Sequence, residues 1–170
     1  MASLESKLNN FIDDVSKAIG SEKVSTDRPT RMCYTLTHGP ECLLHENYIE
    51  EFLPAVVLRP TSTEDVQEIV KLANKYVVPL VPSGGRTGSY GAEGMRDCAI
   101  VDLRSMNRIL EFDEKNYRIT AEAGLLMADY VKFLRERGYM PLDWPASERS
   151  ATLGSRVAVN GYNLSLIHIS

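Results

Sequence analysis

AVVLRPTSTEDVQEIVKLANKYVVPLVPSGGRTG, residues 55–88, carries the reading of the fold. Ala55 to Leu58 is a short apolar run closed by Pro60, the length and composition of a buried strand. Thr63 then caps EDVQEIVKLANKY, in which Val66, Ile69, Val70 and Ala73 share one helical face. A second apolar run, Val77 to Val81, is broken only by Pro79 and leads straight into glycines. The order is strand, helix, strand, glycine-rich turn, and such units pack a helix against a sheet.

Residues 81–94, VPSGGRTGSYGAEG, place five glycines, two serines and a threonine after the second strand. A Walker loop needs GxxxxGK followed by Ser or Thr, and no lysine occurs between Lys75 and Lys115. The dinucleotide fingerprint GxGxxG needs fixed offsets that open a helix, and Gly84, Gly85, Gly88 and Gly91 miss that register. Two readings of the residues stay open. One is an anion-binding concavity of backbone N–H groups, aided by the hydroxyls of Ser83, Thr87 and Ser89 and the charge of Arg86. The other is a long surface loop that uses glycines for its turns.

Outward from this stretch, Leu4, Leu8, Phe11, Ile12, Val15 and Ile19 predict an amphipathic helix over 4–19 with Gly20 as its C-cap. Ser21 to Pro54 has no clean period. Asp27-Arg28-Pro29 and His38-Gly39-Pro40 are turn signals there, so loop with short extended pieces is expected. Residues 98–103, CAIVDL, form another buried-strand candidate. The runs 108–113 and 117–123 alternate about Glu114-Lys115-Asn116 as a hairpin. Leu126 to Arg137 returns to helical spacing and ends at Gly138. A second unusual loop, MPLDWPASERSATLGSRVAVNGYN, follows at 140–163. Parallel-type and antiparallel pairing together place the chain in the α+β class, with a mixed sheet and packed helices.

The chain has 170 residues, 44% hydrophobic and 25% charged, with a formal net charge of −4. That length buries one sizeable core, and the acidic balance argues against a nucleic-acid partner. No run of apolar residues is long enough for a membrane span and the N-terminus lacks a signal-peptide core, which predicts a soluble, cytoplasmic protein. Cys33, Cys42 and Cys98 are an odd set without a CxxC pair, as expected of reduced thiols.

From Pro54 to Asn160 the sequence resembles the FAD-binding domain of the vanillyl-alcohol oxidase and p-cresol methylhydroxylase family. The resemblance rests on PAVVLRPTSTEDVQEIVKLANKYVVPLVPSGGRTG, on IVDLRSMNRILEFDEKNYRITAEAGLLMADYVKFLRERGY and on SATLGSRVAVN, in the family's order and spacing. It is most similar to the branch of D-lactate, glycolate and D-2-hydroxyglutarate dehydrogenases. The resemblance implies FAD, with Ser83, Gly84, Gly85, Arg86, Thr87, Gly88 and Ser89 lining the pyrophosphate and Pro82 setting the loop's entry. It also implies that Pro145, Ser147, Ala151, Thr152, Gly154 and Ser155 pass the ribityl chain and the isoalloxazine ring. A small 2-hydroxy acid would be the substrate, with an electron acceptor that the sequence does not identify. A same-fold, NADPH-dependent reductase of cell-wall precursor synthesis is the alternative, as is a flavin-binding module without catalysis.

Some members of the family attach FAD through a histidine after the two loop glycines. Arg86 stands at that place, which implies a non-covalent flavin. Ser155 and Arg156 depart from the glycine and small polar residue usual after the ATLG segment. In the family the base and the carboxylate-binding arginine come largely from a later portion, so no catalytic residue is assigned. The expected organisation is a lead-in over 1–53, an incomplete FAD-binding domain over 54–163 and a non-native tail over 164–170, the whole being an N-terminal fragment.

Other constellations read more simply as structure. Cys33, His38, Cys42 and His45 lie close together without a standard metal-finger spacing, and no metal site is assigned. Alternation along the hairpin turns Glu111 and Glu122 to solvent, and with Asp102 they show only residue type in favour of acid–base work. Tyr90 and Trp144 are loop aromatics suited to packing or to stacking on a flavin. No Ser-His-Asp or Cys-His arrangement has a supporting motif.

Overall fold

A computed structural model describes residues 4–35, 47–88, 95–141, 145–159 and 161. These form two compact units, one drawn from Met1–Ser83 and Gly88–Ser105, the other from Gly84–Thr87 and Met106–Ser170. The mixed α+β architecture expected from the sequence is what the chain adopts.

In the first unit, α1 (Leu4–Ile19) runs where the apolar period placed it and stops at Gly20, whose φ of 100° suits glycine. A 3-10 turn (Ser21–Lys23) leads to β1 (Val24–Ser25), and α2 (Arg28–Met32) and α3 (Tyr48–Phe52) follow. The expectation of loop over 21–54 is therefore corrected. Asp27 takes the N-cap of α2 and accepts a 2.9 Å bond from the Thr30 N–H, with Pro29 in the first turn. The triplet read as a turn is also helix-start chemistry, and five residues are too few to display a helical period.

The strand-helix-strand reading holds as β2 (Val56–Leu58), α4 (Thr63–Tyr76) and β3 (Leu80–Ser83), with β4 (Ala99–Asp102) after them. β2 and β4 are each trimmed at their ends, and the boundaries of α4 and β3 move. Ser62, extended at φ −146°, caps α4 by accepting from the Asp65 N–H at 3.2 Å, and Thr63 is already helical. Val77 ends α4 in the left-handed region at φ 60°, so β3 begins later than the apolar run and extends through Pro82 and Ser83. The sheet order is β1-β2-β4-β3, with β1 antiparallel to β2 and the remaining pairs parallel. Because β3 is an edge strand, the missing N–H of Pro82 costs no ladder bond.

Strand alternation divides the core between the two faces of the sheet. Val56 and Leu58 of β2 and Ala99 and Val101 of β4 meet Phe11, Val15 and Ile19 of α1 and Ile69 and Ala73 of α4. Val57, Cys98 and Ile100 point the other way and pack with Tyr34.

The second unit is built on the predicted hairpin, β5 (Ile109–Asp113) and β6 (Arg118–Ala121), antiparallel with a bulge between Ile109 and Glu111. Asp113 closes its turn by accepting from the Asn116 N–H at 3.2 Å and from Asn116 Nδ2 at 2.6 Å. Helix α5 (Met127–Arg135) buries Met127, Val131 and Leu134, and Phe133 meets Phe112 of β5 edge-on with ring centres 5.6 Å apart. It ends at Arg135 with Glu136 as C-cap, earlier than expected, and the chain turns away through Gly138, φ 81°, with the Tyr139 N–H bonded back to the Leu134 carbonyl at 3.0 Å. The ATLG segment, expected as loop, instead starts a helix, α6 (Leu153–Ala158), after an extended Thr152. Among the described residues no helix is long and apolar enough to cross a membrane.

Candidate functional site

Gly84 and Gly85 are small because the protein's own backbone and side chains come against them. A Cβ on Gly84 would strike the Thr152 hydroxyl oxygen and lie 3.2 Å from Ser155 Cβ. One on Gly85 would overlap the Ser150 carbonyl, 2.6 Å from its carbon, and sit 3.1 Å from Ala151 Cα. Both neighbours of Gly85 are backbone, so no rotamer change could relieve the contact. The two segments expected to line a cofactor are thus brought together in the second unit, Gly84–Thr87 against residues 150–155.

The 145–155 segment is fixed by its neighbours along the chain. Leu126 and Thr152 form an antiparallel bridge. The Met127 N–H donates to the Ala151 carbonyl at 2.9 Å, the Leu153 N–H to that of Leu125 at 2.8 Å and the Gly154 N–H to that of Ala123 at 2.8 Å. The Ser147 carbonyl accepts from the N–H groups of Ser150 and Ala151, which folds the chain back after the buried Pro145. Gly154 is demanded by Ala123, whose Cβ and carbonyl oxygen would stand 2.7 and 2.8 Å from an added Cβ. Its place in the cofactor set is accordingly explained by packing. Ser155 Oγ is spent on the Thr152 carbonyl at 2.8 Å.

Two hydroxyls are left over. Thr152 is 1% exposed and Ser83 8%, and neither side-chain oxygen has a hydrogen-bond partner among the described residues. An unpaired buried hydroxyl costs about 1–3 kcal/mol, so each fits a place completed by an oxygen-rich ligand. Thr152 Oγ1 is the atom that Gly84 approaches, and Ser83 directly precedes Gly84. Among the described residues no atom lies within 4 Å of a Cβ added to Gly88, while Arg86 holds a left-handed backbone at φ 52°. A diphosphate, which offers many acceptor oxygens, matches the Thr152 hydroxyl, the backbone N–H groups of the 84–87 turn and the Arg86 guanidinium.

Among the described residues, two buried carboxylates lie outside this set. Asp102 ends β4, opposite Ser83 in the parallel register, and is 3% exposed. Burial pushes its carboxyl up, yet hydrogen bonds from Arg104 and Tyr34 overrule that and hold it below the usual carboxylate range. Tyr34 Oη donates to it at 2.6 Å, and Arg104 Nη2 lies at 2.6 Å. Glu122, expected to face solvent, is corrected to buried. It accepts from the Arg108 N–H at 2.8 Å and from Arg108 Nη2 at 2.6 Å, because the chain turns inward after β6. Tyr34 carried no sequence signal, since it lies in the aperiodic stretch before Pro54. Ser89, Tyr90 and Trp144, along with His38, Cys42 and His45, lie outside the described residues.

Residues 54–167 match the family model for the FAD binding domain. The chain belongs to that family. The FAD-binding family chain is 32% identical over 161 residues to a D-2-hydroxyglutarate dehydrogenase of Stutzerimonas stutzeri, a match spanning 92% of this chain and 32% of that protein. It is 36% identical over 108 residues to a D-lactate dehydrogenase of Anaerostipes hadrus, spanning 63% of this chain and 22% of that protein. In three dimensions it is similar to p-cresol methylhydroxylase with substrate bound, with a TM-score of 0.73 at 23% identity, over 85% of this chain and 28% of that one. The fold expected from the sequence is therefore the one found. The chain spans about a third or less of the length of the curated relatives it matches.

Proposed function

We propose that this chain is the cofactor-holding part of an FAD-dependent dehydrogenase that oxidises a small 2-hydroxy acid, with the flavin bound non-covalently. The observation that carries the cofactor's place is the Gly84–Gly85 turn seated against Ser150–Thr152, with the Thr152 hydroxyl buried and unpartnered beside Gly84. The substrate class is supported by similarity to D-2-hydroxyglutarate and D-lactate dehydrogenases. When bound, FAD supplies a two-electron acceptor for the hydride of the substrate's α-carbon. The chain's own residues bind and orient. Thr152 offers a hydroxyl donor beside Gly84, and Arg86 of the same turn offers charge to a phosphate. Arg86, where the resemblance gives a histidine in members with attached flavin, has no nucleophile for such a bond, and the flavin is held there without one.

Titration of FAD into the protein, followed by quenching of flavin fluorescence, tests the cofactor site; saturable binding is expected and its absence refutes the assignment. Acid precipitation should leave all flavin in the supernatant. In the full-length protein, anaerobic D-lactate or D-2-hydroxyglutarate should bleach the flavin absorbance. Failure of every 2-hydroxy acid to do so overturns the substrate class.

A further inference from the structure

The Tyr34–Asp102–Arg104 cluster has no part in the cofactor set described above, although it stands at the root of the glycine loop. Asp102 is the register partner of Ser83, and neighbouring strands lie only about 5 Å apart. Ser83 in turn is joined directly to Gly84. A buried carboxylate at that strand end would repel an anion held by the loop, since charges interact strongly where water is excluded. The fold surrounds it with cationic and hydroxyl donors instead. Arg104 donates to Asp102 from its backbone N–H at 3.1 Å, from Nε at 3.0 Å and from Nη2 at 2.6 Å. Arg104 Nη2 also reaches Tyr34 Oη at 3.2 Å, which ties the three groups into one network. Tyr34, 3% exposed, comes from outside the segment matched by the family model.

We infer that Arg104 and Tyr34 are positioning residues for the cofactor: they neutralise and immobilise Asp102 so that no uncompensated negative charge stands at the strand end from which the diphosphate-binding loop departs. The inference rests on the FAD site proposed above. Arg104 is half-exposed and Asp102 almost fully buried, so removing the arginine strands the carboxylate rather than releasing it to solvent.

The test compares FAD affinity, by flavin fluorescence, in the wild type, Arg104→Met, Tyr34→Phe, Asp102→Asn and the double variant Arg104→Met/Asp102→Asn, with far-UV circular dichroism confirming the fold of each. Arg104→Met is expected to weaken FAD binding by about tenfold or more. Tyr34→Phe, which removes one donor and keeps the charge pair, is expected to cost about threefold. The double variant is expected to recover to near the wild type, and Asp102→Asn alone to bind at least as tightly as the wild type. A merely structural role predicts the reverse order, because the double variant loses more hydrogen bonds than either single one. If the double variant binds no better than Arg104→Met, or if Arg104→Met binds like the wild type, the inference is overturned. Should Arg104→Met fail to fold, unimpaired binding by Asp102→Asn supports the inference and weakened binding overturns it. Absence of FAD binding by the wild type overturns the site itself, which separates the two failures.

Discussion

Replacing Gly85 by alanine tests whether the loop is shaped by the protein before any ligand arrives. The new Cβ would lie 2.6 Å from the Ser150 carbonyl carbon and 3.1 Å from Ala151 Cα. Carbon atoms settle at about 3.5–4.0 Å, so the loop and the 150–151 backbone would have to part by about 1 Å. Forced overpacking of this kind costs about 1–3 kcal/mol, and at this chain length each kcal/mol moves the melting temperature by about 2–4 °C. A fall on the order of 3–10 °C is expected in differential scanning fluorimetry, with FAD affinity lost in parallel because Thr152 Oγ1 no longer meets the loop. Gly88→Ala is the internal control. No described residue lies within 4 Å of its added methyl, so its melting temperature should match the wild type while FAD binding weakens if the ligand approaches that backbone. A Gly85→Ala protein with wild-type melting temperature would show that the 84–87 turn does not sit against Ser150, and the reasoning would fail.

The remaining predictions concern single side chains. Thr152→Val removes a buried, unpaired hydroxyl at constant shape; it should raise the stability of the ligand-free protein by about 1 kcal/mol in urea unfolding while lowering FAD affinity. Val77, exposed and left-handed at φ 60°, should gain about 1 kcal/mol as Gly or Asn, read from the same unfolding curves, with FAD affinity unchanged. Asp102 has a depressed folded-state pKa, so its stabilisation is fully present above its unfolded value of about 3.9 and disappears as pH falls through the lower folded value. Melting temperatures of wild type and Asp102→Asn should therefore differ at neutral pH and converge below about pH 4.

Period and punctuation made most elements legible. The 3.6-residue spacing of α1 and α4, the short apolar runs of β2 and β4 and the hairpin about Glu114-Lys115-Asn116 are patterns that local chemistry writes directly into sequence. Short helices escaped because α2 and α3 have five residues each and α6 has six, less than two turns. Glu122 escaped for another reason. Alternation predicts which face a strand residue takes, but the strand had ended, and the partner that draws Glu122 inward, Arg108, lies across the hairpin.

Glycine content carries two separate meanings in this chain, and only the folded structure divides them. From the sequence, the glycines of SGGRTG and ATLG all read as room for a cofactor. In the structure Gly85 gives room to Ser150, Gly154 gives room to Ala123, and Gly84 gives room to Thr152 and Ser155. Gly88 alone among them has no described atom within 4 Å of an added Cβ. The loop is therefore held in shape by contacts made without a ligand, and a site pre-formed in this way loses little conformational freedom on binding. Gly84, Gly85 and Gly154 therefore leave no side-chain space to a ligand, and what that turn offers instead is the buried Thr152 hydroxyl beside Gly84. Alanine substitution should consequently separate the loop's residues into those that melt the protein and those that only release FAD, with Gly85 in the first group and Gly88 in the second.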